Sequence, residues 1–279
     1  MEPGRASNTA LRAALRRATH QILDRPPILD DPIAIPLLGQ YFSYDPARES
    51  HPAARAFSAF MATRSRYAED RLAGSVARGV AQYVVLGAGL DTFAYRNPFP
   101  QIRVFEVDFP ATQRWKRELL AEAAIAPPAN LTYVPIDFEH ATLIPSLAEA
   151  GFDTTTPAFF GWLGVVPYLT LGAFRATLQA IASLAPGTAV SFDYGILPHS
   201  LRPHRRQVFE KVAERVAAAG EPFRLFFTPT ELDDQLRHAG FSRFEQLDSD
   251  ALNELYFAGR ADGLRLPTPG LGMLATAWV

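Results

Sequence analysis

The sequence predicts an α/β fold: a doubly wound, seven-stranded, mostly parallel sheet with N-terminal helices and a helical cap insertion. Three observations predict it. Short apolar runs alternate with segments of helical apolar spacing, the pattern of parallel strands joined by crossover helices. One run, Val84-Val85-Leu86, leads straight into Gly87-Ala88-Gly89. The next, Val104-Phe105-Glu106-Val107-Asp108, ends in a carboxylate 19 positions after Gly89.

The elements follow in order. Residues 8–23 carry Leu11, Ala14, Leu15, Ala18 and Ile22 at helical spacing, with arginines opposite. Residues 24–52 hold six prolines, so helices there must be short and the segment is expected to wrap over the rest. A helix returns over Ala53 to Val76. Strands are expected at Tyr83–Leu86, Arg103–Val107, Leu131–Pro135, Ala158–Trp162, Ala189–Asp193, Ser242–Leu247 and near Leu255–Ala258, with helices over 109–124, 142–149 and 171–184. Gly195 to Thr228 is a long insertion with helical spacing over 205–219, placed after a strand end where it can cover a ligand. Thr228 with Glu231 three residues on reads as a capping box, and Gly240 as the stop of that helix. The division is a single domain, 1–279: a helical wrap (1–78), a ligand-binding core (79–194), the cap (195–228) and a C-terminal helix and strands (229–279).

The chain has 279 residues, 48% hydrophobic and 20% charged, enough for one large core without staples. Its 27 basic and 29 acidic residues leave a formal charge of -2, no electrostatic footprint for nucleic acid or an anionic membrane, and neither is expected as a partner. With no cysteine, thiolate nucleophiles and cysteine-ligated zinc are excluded. The first 17 residues lack the apolar stretch of a secretory signal, and no run approaches membrane-spanning length, so the expectation is a cytoplasmic protein.

The glycines after the first strand let the backbone turn tightly and approach a ligand. A carboxylate at Asp108 is placed to accept from two ribose hydroxyls. Both features suit a nicotinamide cofactor as well, but a dinucleotide fingerprint wants a third glycine where Thr92 stands. Asp91 would also repel a diphosphate, whereas S-adenosylmethionine carries an ammonium and a sulfonium there. The sequence therefore favours S-adenosylmethionine over NAD(P). A third acidic strand end, Asp137 with Phe138, can accept from an adenine amino group and offer it an apolar neighbour.

These motifs, with Met61-Ala62-Thr63-Arg64-Ser65-Arg66-Tyr67-Ala68-Glu69-Asp70 and Trp162-Leu163-Gly164-Val165-Val166-Pro167-Tyr168-Leu169, resemble the leucine carboxyl methyltransferase superfamily, in its bacterial branch of polyketide-type O-methyltransferases. The resemblance covers nearly the whole chain and implies the Rossmann-like fold of class I methyltransferases. It also implies that Arg64, with Arg66 as second choice, pairs with the cofactor carboxylate. Gly87, in the loop with Ala88 and Gly89, would lie against the methionine part, Asp108 on the ribose, and Asp137 with Phe138 at the adenine. One departure is that Leu163 stands where many members have a glutamate.

The expected reaction is methyl transfer to a carboxylate or hydroxyl of a small, partly hydrophobic acceptor of secondary metabolism. An in-line displacement needs alignment and exclusion of water. A carboxylate needs no base, while a hydroxyl gains from one, for which His199 and His204 of the cap are the candidates and Tyr168 a wall of the transfer site. Arg202, Arg205 and Arg206 could hold an acidic acceptor, and Tyr41, Phe42 and Tyr44 are expected to line an apolar pocket. No metal is expected, since the two histidines straddle Pro203 at a poor spacing. A nicotinamide oxidoreductase, a non-catalytic cofactor-binding module, a C-methyltransferase and a protein carboxyl methyltransferase stand as alternatives, and homo-oligomerisation is left open.

Overall fold

The structure is a computed structural model describing residues 7–136, 142–197, 203–218 and 220–279, the side chains of His204, Arg205, Val208, Val212 and Arg215 excepted. Ser7 caps the first helix, α1 (Asn8–Leu23), by accepting the Ala10 amide, and α1 buries Ala14 and Ala18. The proline-rich wrap holds α2 (Ala34–Leu38), a 3-10 turn (Gly39–Tyr41) and α3 (Pro46–Glu49). α4 (Pro52–Val76) then runs 25 residues to the sheet, with Pro52 in its first turn, where no N–H is needed.

The sheet region comprises β1 (Gln82–Leu86), α5 (Phe93–Arg96), β2 (Arg103–Asp108), α6 (Pro110–Glu122), β3 (Leu131–Pro135), α7 (Leu143–Glu149), β4 (Phe159–Trp162), a 3-10 turn (Val166–Tyr168), α8 (Leu171–Ala182) and β5 (Ala189–Ile196). The cap helix α9 (Pro203–Ala218) follows, then β6 (Phe226–Phe227), α10 (Pro229–Ala239), β7 (Arg243–Leu247), α11 (Ser249–Tyr256) and β8 (Gly272–Trp278). The strand order is β3-β2-β1-β4-β5-β8-β7, with β6 added beside β5. All pairings are parallel except those of β8, which lies antiparallel between β5 and β7. The order reverses between β1 and β4, and in such sheets ligands bind in the crevice beyond the strand ends at that point.

Core residues cover both faces. Phe160, Trp162, Phe174, Phe192 and Leu236 pack on one, and Tyr83, Val85, Phe93 and Phe159 on the other. The wrap has its own cluster, in which Leu37 and Leu38 meet Leu90, Leu119 and Leu120, so it is a packed layer against the glycine turn and α6. The capping box forms, with Thr228 and Glu231 each accepting the other's backbone amide, and Gly240 ends α10 in the left-handed region.

The last expected strand is misplaced. Residues 255–258 are the end of α11 and the turn after it, because Asp248 accepts the Asp250 and Ala251 amides and starts a helix that buries Leu252. The strand is Gly272–Trp278 instead. Buried on both faces, it lacks the alternation that marks a strand in sequence. The two-residue β6 makes the sheet eight-stranded.

Candidate functional site

The glycine turn at the end of β1 is strapped to β2. The Gly87 and Ala88 amides both donate to Val107 O, at 2.8 and 3.0 Å, and the Gly89 amide donates to Asp108 Oδ2 at 2.6 Å. Gly87 and Gly89 have φ of 67° and 48°. A Cβ on Gly87 would collide with Val165 Cγ2, and one on Gly89 would stand 3.0 Å from Ala10 Cβ, so the turn is clamped between α1 and the segment after β4. All three amides of Gly-Ala-Gly are thus spent inside the protein. A diphosphate cradle needs such N–H groups free, and in this turn these three are not.

Asp108 is 7% exposed, and its second oxygen accepts the Phe109 amide at 2.7 Å. Burial pushes its carboxyl upward, and the two amides oppose the shift. A carboxylate has about four lone-pair sites, so two amides leave capacity for a pair of ribose hydroxyls. The residues present therefore fit a nucleoside at this strand end.

Arg64, on α4, reaches across to the end of β4. Its Nη1 donates to Asp193 Oδ2 at 3.2 Å, and Asp193 Oδ1 accepts the Gly164 amide at 2.5 Å. Gly164 has φ of 72°, and a Cβ there would lie 2.9 Å from Arg64 Nη2, so the absent side chain is what admits the guanidinium. Arg66 points elsewhere, to Asp70 and to Ile28 O of the wrap. The two arginines of the motif are thereby separated: Arg64 lies at the strand ends and Arg66 does not.

Behind the glycine turn, Thr92 donates its hydroxyl to Asp31 Oδ2 at 2.6 Å. Asp31 is fully buried and lies 3.4 Å from both Arg17 Nε and Arg96 Nε. Arg17 also donates to Leu90 O, and Arg96 grips Glu69 of α4 with both terminal nitrogens. The position where a dinucleotide fingerprint has glycine is therefore an anchor that ties the wrap to the site.

Across the strand ends lies the cap. Arg224 and Leu225 donate their amides to Pro167 O at 2.7 and 3.2 Å, and the Tyr168 ring packs on Phe223 at 5.4 Å, which in turn stacks on Phe209 of α9. Burial raises the Tyr168 phenol to about 12, so it is a neutral donor near pH 7 and not a base. Glu221, just past α9, accepts from Ser7 Oγ and the Thr9 amide, both at 3.2 Å, and so joins the cap to the start of α1.

Asp137, Phe138 and His199 lie outside the described residues, as does the side chain of His204. Tyr41 sits edge-on to Trp115 of α6 and is 42% exposed, and Phe42 packs into the wrap cluster. Aromatic side chains in a wrap glue it to the core as readily as they line a cavity. Two clefts, of about 430 Å³ beside Phe257 and Arg265 and about 390 Å³ beside Leu120 and Tyr133, lie away from the strand ends. Sequence reasoning missed Asp193, Asp31 and Glu221. Asp193 carries the same signal as Asp108, an acid near a strand's carboxyl end. Asp31 and Glu221 sit in irregular segments with no local signal.

Residues 10–182 match the family model for leucine carboxyl methyltransferase. YktD of Bacillus subtilis (strain 168), which carries the provisional name S-adenosyl-L-methionine-dependent methyltransferase, is 32% identical over 291 residues, covering 95% of each chain. A Mycobacteroides abscessus protein of the same provisional name is 35% identical over 201 residues, 69% of this chain and 66% of its own. Among solved structures, a DUF574 family protein from Streptomyces avermitilis superimposes with a TM-score of 0.58 at 18% identity, covering 96% of each chain. A Thermobifida fusca protein provisionally called a methyltransferase does so at 0.56 and 20%, covering 99% of this chain and 96% of its own. These two share the fold.

Proposed function

The chain belongs to the leucine carboxyl methyltransferase family and is an S-adenosylmethionine-dependent methyltransferase, and from that premise we propose that it methylates a carboxylate or hydroxyl of a small, partly hydrophobic metabolite. The observation that carries the acceptor class is the fixed contact of the cap with the turn after β4, through Arg224 and Leu225 to Pro167 O and Tyr168 on Phe223. It supports a roofed, aromatic acceptor side, which suits a small molecule better than a protein terminus. When bound, the cofactor supplies an electrophilic methyl on a sulfonium.

This chain's residues do the rest. Arg64 pairs with the cofactor carboxylate, Asp108 accepts from the ribose, the Gly87-Ala88-Gly89 turn gives close passage, and Asp137 with Phe138 receives the adenine. Tyr168, Phe223 and Phe209 exclude water from the transfer side, which aligns reactants and strengthens electrostatic contacts. With the phenol neutral, Tyr168 donates to an acceptor oxygen but takes no proton. A carboxylate acceptor requires no base, and a hydroxyl acceptor would draw on His199 or His204. We place the enzyme in the cytoplasm and in secondary metabolism on the same reading.

The test is calorimetric titration of wild type and Asp108→Ala with S-adenosylhomocysteine and NAD, followed by a mass-spectrometric acceptor screen with S-adenosylmethionine. Saturable binding of the thioether alone, lost in the variant, and methylation of small carboxylic or hydroxylic acceptors support the reading. Methylation only of peptide termini would overturn it.

A further inference from the structure

The Arg64–Asp193 pair lies at the strand ends, with both side chains nearly buried, at 12% and 10% exposure. They come from two elements far apart in sequence that pack on each other, α4 and β5. Asp193 is the one hydrogen-bond partner of Arg64 among the described residues, at a single nitrogen. A guanidinium has five N–H donors in a fixed fork, so most of its donor capacity is unspent. None of its nitrogens is sealed from solvent without a partner. Asp193 likewise spends one lone pair on Arg64 and one on the Gly164 amide.

A buried cation and anion side by side, each with capacity left over, match a ligand group that carries both charges on one carbon. We propose that Arg64 and Asp193 form a clamp for an α-amino-acid zwitterion, with Asp193 the binding residue for the ammonium of the methionine end. The clamp rests on the cofactor site proposed above and adds a residue to it. Pairing Arg64 in advance also has an electrostatic use. An unpaired guanidinium at this depth would pay desolvation alone and would repel the ligand ammonium, whereas the pair presents opposite charges to the ligand's two ends. Gly164 serves both halves, its amide fixing Asp193 and its missing Cβ admitting Arg64.

The experiment compares S-adenosylhomocysteine with its deaminated analogue, which keeps the carboxylate, thioether and nucleoside. Dissociation constants are measured for wild type, Asp193→Asn, and the double variant Arg64→Gln/Asp193→Asn, which orphans no buried charge. Wild type is expected to prefer the amino form by about ten- to hundred-fold, the worth of a hydrogen bond to a charged group. Both variants should lose that preference while still binding the analogue. If the preference persists in either variant, or is absent from wild type, the clamp is wrong. If wild type binds neither thioether, the cofactor-site reading fails and the clamp with it; if wild type binds both and the variants still discriminate, the clamp alone fails.

Discussion

Asp108 holds the glycine turn from beneath, its Oδ2 accepting the Gly89 amide at 2.6 Å. The residue proposed to accept from the ribose is therefore also the one that shapes the turn beside it. On that proposal, binding and local fold are carried by a single carboxylate.

Asp108→Ala leaves the Gly89 and Phe109 amides without their acceptors. The expected cost is about 1–3 kcal/mol of unfolding free energy, together with loss of S-adenosylhomocysteine binding. Asp108→Asn keeps one amide bond and should cost less stability while still losing affinity. Urea denaturation and calorimetry read the two effects, and wild-type stability in Asp108→Ala would refute the dual role.

Gly87→Ala meets two separate obstacles. A φ of 67° costs a side chain about 1–2 kcal/mol, and the new methyl would collide with Val165 Cγ2. Adding Val165→Ala should recover the steric part only, so the double variant stays below wild type but above Gly87→Ala. Melting midpoints in denaturant settle the order, provided the slopes agree.

Glu106 is fully buried two residues before Asp108, with Lys116 Nζ 2.6 Å from its Oε2. Burial, only partly offset by Lys116, raises its carboxyl to about 7. The folded state then binds more protons than the unfolded state between about pH 4.5 and 7, so this group's stabilising contribution is present below that window and is lost as pH rises through it. The denaturation midpoint should fall from pH 5 to pH 7.5 by more in wild type than in Glu106→Gln/Lys116→Met. An equal pH dependence in both proteins would contradict the assignment.

Glu221 gives α1 what its own first turn lacks, an acidic group at the amino end. Glu221→Ala is expected to cost about 0.3–1 kcal/mol and to speed amide hydrogen exchange in residues 9–12, without changing exchange in α6. Unchanged exchange at the start of α1 would show that the cap and the wrap are not joined through this residue.

Local signals in the sequence determined the alternation of strands and helices, the glycine turn, the acid 19 positions beyond it and the Thr228–Glu231 capping box. Each is written within one turn, one strand or one crossover, where hydrophobic period and capping chemistry suffice. Tertiary structure alone decided the rest. It set β8 between β5 and β7, where Thr276 meets Tyr67 and Ser191, and it brought Tyr41 onto Trp115. It also brought Arg64 to Asp193 across 129 positions and Thr92 to Asp31 across 61. Those partners share no periodicity or spacing. They are set by the crossing of α4 over the strand ends and by the wrap closing on the glycine turn, both of which depend on how separately formed elements bury their faces together.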